Sequence, residues 1–533
     1  EGDQRMSSKP VVIRGLGSDL DYPAIQNDQW ISTIDAEDFR AYKTARILIK
    51  PYAVAGQRLV QMTFRIIFPK TTRNGTRQDQ DLIGTYLNSE MGANWGQISQ
   101  AALNRATSDL PAGQWYRFPI DEMGVYRINS ASFGDGVPDS DPVTWQIYAP
   151  YFEGRSLAWE LSNTEPTPAN LKSISMSGSG LEDGEFSGTD EIIFFAQGLN
   201  GDFKGDNFTH LYGKQRYYWL CVPESGTSEG NFISSLPSSD QAFVNTVTSY
   251  EKRLYHEAEL HNQLHSGPFW VGEKLTGSSD QLSIIFSENY LDFESEIKFN
   301  ALFVIDYDAG NYQNNLSVDL NSLSFNMTQN NALYKQIRLS GTAVEDMLRD
   351  GNNTLRINYT SNSNASIIYL DSLRLSYHRQ LAPASDYLFG SLALPGPVNR
   401  LLFQDIPDNF HIWDISNPTS ITEWQLENSE FIISGIGNRE VIGFTEDQIG
   451  MIVLETASNL GEPTLRTAGK QADYIIICPD IFMDQAERIR ELREELVPVD
   501  ERLSVEIVSI NDIYDEFSAG TQDPAAIKHF LHY

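Results

Sequence analysis

Two thiols and eight imidazoles are the side chains of this 533-residue chain best suited to nucleophilic or metal chemistry. Cys221 lies in YYWLCVPE and Cys478 in YIIICPD, both inside apolar, strand-like runs. A cysteine attacks as its thiolate, and neither run offers the neighbouring His or basic group that would stabilise one. Both are therefore expected to be buried structural thiols. His256, His261 and His265, with Glu257, form the local histidine cluster. Their spacings of five and four differ from the i, i+4 pair with an intervening Glu that binds zinc in metalloproteases. That cluster is expected to be polar surface, and so are His529 and His532 near the end of the chain.

Three acidic loops carry oxygen ligands: Asp135 to Pro142, Asn200 to Phe208 and Asp306 to Asn311. None fits the twelve-residue calcium loop, so plain turns are expected. Calcium is the one metal they could take, with no specific motif behind it. The run YIIICPDIFMDQA has no glycine-rich phosphate fingerprint, so no dinucleotide site is expected. On these readings no catalytic, cofactor-binding or metal-binding residue is assigned.

The elements that would have to position any chemistry are mostly strands. The length implies three or four domains. Hydrophobic residues make up 41% of the chain, enough for packed cores. The net charge of −33 is spread along the sequence, which repels phosphate backbones and disfavours anionic lipid. Two cysteines exclude a disulfide framework. No run reaches the ~18–20 apolar residues of a membrane helix. The sequence begins with Glu1 rather than Met, as a mature form with its signal removed would.

Residues 1–10 are polar and expected to fray. A first β domain follows at 11–110, with a strand at Arg58 to Pro69, a loop at Lys70 to Asn94 and helical spacing at Trp95 to Ala106. A second occupies 111–248. There GQWYRFPI, DEMG and VYRI read as a hairpin, followed by VTWQIYAP, SISMSGSG, DEIIFFAQG and QRYYWLCVP. Short strands at this spacing indicate a β-sandwich or barrel. The Ser/Gly/Pro-rich stretch 224–240 reads as a linker or surface loop. Residues 249–380 form a β-sandwich domain with a preceding charged excursion, helical or extended, at Ser249 to Leu264. Residues 381–468 are a short β-rich connecting region.

From 469 to 533 the pattern changes to strand, helix, strand, helix, the opening of a parallel α/β domain. YIIIC suits a parallel strand covered on both faces. Ala486, Ile489, Leu492 and Leu496 share one helix face. Asp523 and Pro524 are set to cap and start the last helix. The chain is therefore mainly β, several sandwich- or barrel-like domains in series followed by the start of an α/β domain. Two strands of a parallel sheet alone leave apolar faces and an edge open, so the rest of that domain is expected to be present alongside.

The run Asp512 to Leu531, DIYDEFSAGTQDPAAIKHFL, resembles a signature of the gingipain-type cysteine peptidases. The resemblance is to the branch of that family that acts as cell-surface sortases of the type IX secretion system. It rests on Asp512 to Phe517, Ser518, Gly520, Gln522 to Pro524, Ala526, Ile527, Phe530 and Leu531. Upstream, GQWYRFPIDEMGVYRI, DGEFSGTDEIIFFAQG and RYYWL are similar to that branch in the same order. HSGPFWVGEKL is also similar, with Pro268 where an Arg is usual.

The resemblance implies a His and Cys dyad further along the domain than this chain extends, so no catalytic residue is carried over onto it. It implies that the complete protein cleaves a C-terminal secretion signal from exported cargo and attaches the cargo to surface lipopolysaccharide through a thioester. The implied location is the outer face of the outer membrane, with an outer-membrane β-barrel of the secretion system as partner. The β-rich part would dock and position. The alternatives are a secreted β-sandwich adhesin or binding protein, and an ordinary secreted cysteine protease of the same family.

Overall fold

A strand that is apolar on both faces needs cover on both sides, and Glu191–Ala196 and Arg216–Pro223 are two such strands. The structure is a computed structural model. It describes residues 31–39, 42–49 and, with internal exceptions of which 151–170 is the longest, 110–532. The expected tail at 1–10, the strand at Arg58 to Pro69, the loop at Lys70 to Asn94 and the helix at Trp95 to Ala106 lie outside the described residues. The chain divides into two compact units, Glu1–Arg105 and Ala106–Tyr533. In the first, Ile31–Phe39 pairs antiparallel with Tyr42–Ile49.

The second unit opens with a β-sandwich. One sheet runs in the order 455–456, 113–120, 216–223, 146–150, 171–173; the other runs 450–451, 124–129, 191–196, 176–179. Tyr116, Phe118, Ile120, Tyr218, Leu220 and Val222 of the first face Ile128, Ile192, Phe194 and Ala196 of the second across one core. Each alternates in sequence with residues of the outer face, as the period of two requires.

The expected hairpin at 113–129 is corrected. Gly113–Ile120 pairs with Arg216–Pro223 and Glu455–Thr456, whereas Gly124–Asn129 pairs with Glu191–Ala196 and Gly450–Met451. The turn between them is a corner that carries the chain from one sheet to the other. Both edges of each strand are already taken, so the two cannot pair with each other. The segment 450–456 runs along the edges of both sheets, and its Ile452 and Leu454 are buried in the shared core.

A third, 11-stranded sheet orders its strands 234–237, 422–425, 410–414, 437–445, 388–394, 249–256, 367–380, 297–305, 336–343, 326–332, with 274–276 also on 367–380. Two smaller sheets close it into packed layers. The strands 279–288, 351–361, 314–320 and 323–324 cover the core of Phe299, Phe303, Leu355, Ile357 and Leu375. The strands 245–247, 398–402 and 430–434 cover that of Leu388, Leu392, Leu401 and Phe431. The large sheet is continuous through 248/249 and 380/381, because Ser249–His256 pairs with both Ile367–Gln380 and Leu388–Leu394. That strand settles the form of the charged excursion as extended over 249–256: Tyr250 is buried between the two neighbours. Within the stretch read as linker, Ser234–Pro237 is a strand parallel to Thr422–Gln425.

The terminal segment is α/β. Tyr474–Cys478 lies parallel to Val505–Ser509. Helix α1 (Met483–Glu494) connects them, and α2 (Ile510–Ser518) and α3 (Pro524–His532) follow. The sequence reading had no helix directly after the second strand. The residues form one because Ser509 caps it, accepting from the Asn511 amide at 3.1 Å, while Ile513 and Phe517 fall on one buried face. Tyr474 and Ile475 of YIIIC are exposed, Ala486 of α1 is buried, and Ile489, Leu492 and, just past the helix, Leu496 are 42%, 46% and 67% exposed, the open apolar faces expected of two parallel strands by themselves.

Truncating the strap residue Leu454 to Ala should destabilise the sandwich by about 2–4 kcal/mol through lost burial and a cavity between its sheets. Urea unfolding followed by tryptophan fluorescence reads this. A change under about 0.5 kcal/mol, the range of an ordinary surface substitution, would show that the strap does not staple the core.

Candidate functional site

The chemistry-bearing residues of the sequence separate into structural roles. Cys221 is 1% exposed among Trp115, Tyr148 and Trp219, and burial pushes its thiol up to about 12. Such a thiol is protonated at neutral pH and does not act as a nucleophile. Cys478 is half-buried at the end of its strand, with Sγ 3.8 Å from Met483 Sδ.

The three clustered histidines do not converge on one site. His256 Nε2 lies 2.7 Å from Glu273 Oε1, and the His261 ring packs on Tyr369 at 5.3 Å between centroids. His265 sits in an exposed left-handed turn at φ 51°. Among the described residues no group of three or more His, Cys, Asp or Glu is arranged to hold a metal ion. In the acidic loops, Asp141 caps a 3-10 turn and Asn200–Phe203 pairs with Asp206–Thr209 as a hairpin. Asp306 accepts from the Tyr369 hydroxyl at 3.1 Å, and 307–311 lie outside the described residues. His529, expected on a solvated helix face, is buried instead, because α3 turns that side inward; the side chain of His532 is outside the described residues.

The residues that do converge are those of the stretch 510–523, and they converge on the sandwich. Antiparallel pairing sets Trp219 opposite Arg117 on the outer face of the first sheet, with Tyr217 beside them. Arg117 Nη1 donates to Asp515 Oδ1 and its Nε to Glu455 Oε2, both at 3.1 Å, while the guanidinium lies 5.3 Å above the Tyr217 ring. Burial acts to lower the Arg117 pKa, but Asp515 and Glu455 outweigh it and hold it above the ordinary value. Trp219 Nε1 donates to the Ala519 carbonyl at 3.1 Å. Ala519 and Gly520 both take left-handed backbone, at φ 53° and 86°. A Cβ on Gly520 would stand 3.0 Å from the Tyr217 ring, so glycine is needed there both for its conformation and for the close approach.

Around this contact Glu516, Ser518 and Asp523 find partners of their own. Glu516 accepts from the Thr464 and Leu465 amides at 2.9 and 3.0 Å and from Arg466 Nε at 3.3 Å. Ser518 Oγ donates to the turn carbonyl of Thr521. Asp523 Oδ1 accepts from the Ala525 amide at 2.8 Å, the cap read from the sequence, and its Oδ2 lies 3.3 Å from His210 Nε2.

Sequence reasoning missed His210, Arg117 and Trp219 as partners of this stretch. The available signal was YYWLCV itself. A strand of an antiparallel sheet that faces solvent on one side alternates, whereas this one is apolar on both faces and must be covered on both.

Two titration outcomes follow. Burial, and then the Glu257 carboxylate, push Glu259 up to about 7 and Asp371 up to about 6. A raised carboxyl pKa means the folded state binds its proton more tightly than the unfolded state. That contribution is complete below about pH 4 and is lost as pH rises through 6 to 7. Stability measured by urea should therefore fall between pH 5 and pH 8, and the fall should be smaller in Glu259→Gln; an unchanged slope in that variant counts against the assignment. Iodoacetamide at pH 8 should leave Cys221 unlabelled in the folded chain and label it after unfolding; native labelling would contradict its burial.

The model of peptidase family C25 matches residues 467–533. No curated protein matches the chain. Among solved structures, dimeric latent PorU from Porphyromonas gingivalis is similar over 79% of this chain at 17% identity, with a TM-score of 0.58. The chain spans 39% of that structure's length. The CBM36-1 domain of a multidomain xylanase from a Trinervitermes trinervoides hindgut metagenome aligns with 24% of this chain and 95% of its own at 16% identity. Its TM-score is 0.16, and no argument rests on it. The chain is thus PorU-like in fold, and its residues 467–533 carry the pattern of peptidase family C25.

Proposed function

We propose that this chain is the β-rich part, with the beginning of the peptidase domain, of a sortase of the PorU type. In this reading the complete protein cleaves the C-terminal signal from type IX secretion cargo. A cysteine thiolate attacks the scissile carbonyl, the signal leaves with the amine, and an amine on surface lipopolysaccharide resolves the thioester to an amide. The protein works on the outer face of the outer membrane, against a β-barrel partner of the secretion system. The nucleophile is neither Cys221 nor Cys478.

One observation carries the reading. The C25-matching segment is seated on the sandwich through Asp515, Ala519 and Asp523 rather than appended to it. A β-part that holds the start of a peptidase domain by directional bonds is suited to positioning that domain.

The test is mass spectrometry of a model cargo with its C-terminal signal, incubated with the complete protein and an amine acceptor. The expected product is cargo joined to the amine. Purely hydrolysed cargo would favour an ordinary protease of the same family, and uncleaved cargo would count against a peptidase of either kind.

A further inference from the structure

The seat of the C25 segment on the sandwich contains a buried imidazole that touches both bodies. His210 follows the hairpin 200–209, and its side chain is 1% exposed against 3% for the Asp523 carboxylate. Its Nδ1 accepts two backbone amides, from Gly213 at 2.8 Å and Tyr212 at 3.3 Å. With two N–H donors aimed at it, Nδ1 has no room for a proton. The two amides at Nδ1 therefore assign the ring proton to Nε2, which lies 3.3 Å from Asp523 Oδ2. The other carboxylate oxygen, Oδ1, caps α3. One imidazole thus fixes the loop 210–213 on one side and the first turn of α3 on the other. Packing reinforces the alignment, since a Cβ on Gly213 would stand 3.0 Å from Thr521 Cγ2.

We propose that His210 is a positioning residue for the peptidase domain. As a neutral Nε2–H donor to Asp523 it fixes the direction in which α3 leaves the sandwich, while Trp219 and Arg117 hold α2 and the turn at 519–520. This builds on the reading of the segment as the start of a peptidase domain. The seating itself is measured without activity, so failure of the seat and failure of that reading remain separate results.

Two substitutions split the roles of the imidazole. Gln places an amide N–H close to the position of Nε2 and keeps the donor to Asp523. Asn places a carbonyl close to Nδ1, keeping the acceptor for the loop amides and losing the bridge. In amide hydrogen exchange on the full chain, His210→Asn should speed exchange at 519–526 by about tenfold or more while strand 191–196 stays protected. His210→Gln should stay within about threefold of the wild type, because it retains the bridge. Asp523→Asn, which still caps a helix well, should match His210→Asn, and the double variant should be no worse than either.

Wild-type protection at 519–526 in His210→Asn, or additive effects in the double variant, would overturn the proposal. Should His210→Asn also lose protection at 191–196, Asp523→Asn decides, since it leaves the sandwich loop intact. Nitrogen shifts of a labelled His210 ring give an independent check: an unprotonated Nδ1 is expected, and the opposite tautomer would refute the bridge.

Discussion

The sandwich at 113–223 is apolar on all four of its sheet faces, and the rest of the second unit is arranged to keep water from the outer two. Its inner faces share one core, as in any sandwich. The outer face of the second sheet presents Val125, Ile193 and Phe195, and these pack with Trp413, Ile442 and Phe444 of the large sheet. The outer face of the first presents Trp115, Trp219 and Cys221, with Tyr217 and Arg117 beside them. The turn between α2 and α3 lies against Tyr217 and Trp219. Each aromatic covered there contributes on the order of 2–3 kcal/mol of burial, more than any exposed ion pair supplies. The segment that follows the large sheet in sequence ties these faces together. It runs along both sheet edges at 450–456 before entering the C25-matching residues.

This arrangement decides where the few cations go. The chain has 39 Lys and Arg against 72 Asp and Glu, an excess of 33 carboxylates over cations. Several buried or half-buried cations among the described residues sit where separate elements meet. Arg253 holds Glu440 at 2.9 Å between the strands 249–256 and 437–445. Arg379 and Lys252 meet Glu288 and Asp386 where the two halves of the large sheet join. Arg117 holds Asp515, and Arg466 holds Glu516. A buried ion pair gains little net energy over apolar packing, but leaving one partner unpaired costs about 3–5 kcal/mol. Such pairs therefore penalise misalignment of the joined elements far more than they add to overall stability.

Much of the fold was legible because strand periodicity survives in single runs. VTWQIYAP, DEIIFFAQG and QRYYWLCVP each contain the strand read from them, and the cap at Asp523 lies where its sequence put it. What failed depended on partners far along the chain. The corner at 121–124 looks like a hairpin turn until the edges of its strands are seen to be filled from 216–223 and 450–456. The helix at 510–518 was hidden by a continuous run with the preceding strand, broken only by the cap at Ser509. The candidate site was less legible still. His210 lies in a loop with no local pattern, and its partner is more than three hundred residues away in sequence. The run 512–531 could be recognised as a family signature, but its letters did not reveal that Asp515, Gly520 and Asp523 serve a contact with another part of the chain.

Apolar cover alone would not make that contact specific. Aromatic faces such as Tyr217 and Trp219 accept a neighbour over a range of rotations, because the attraction depends on area rather than direction. Hydrogen bonds to Ala519 and Asp515 depend on direction, and each carries a cost if left unmade. Ala519 takes a left-handed conformation to present its carbonyl to Trp219, a cost of order 1 kcal/mol that a freely rotating contact would not require. The combination of a slippery apolar face, two directional bonds and a strained turn defines one orientation of α2 and α3 on the sandwich. A surface whose only task was to hide hydrophobic area would have no use for those bonds.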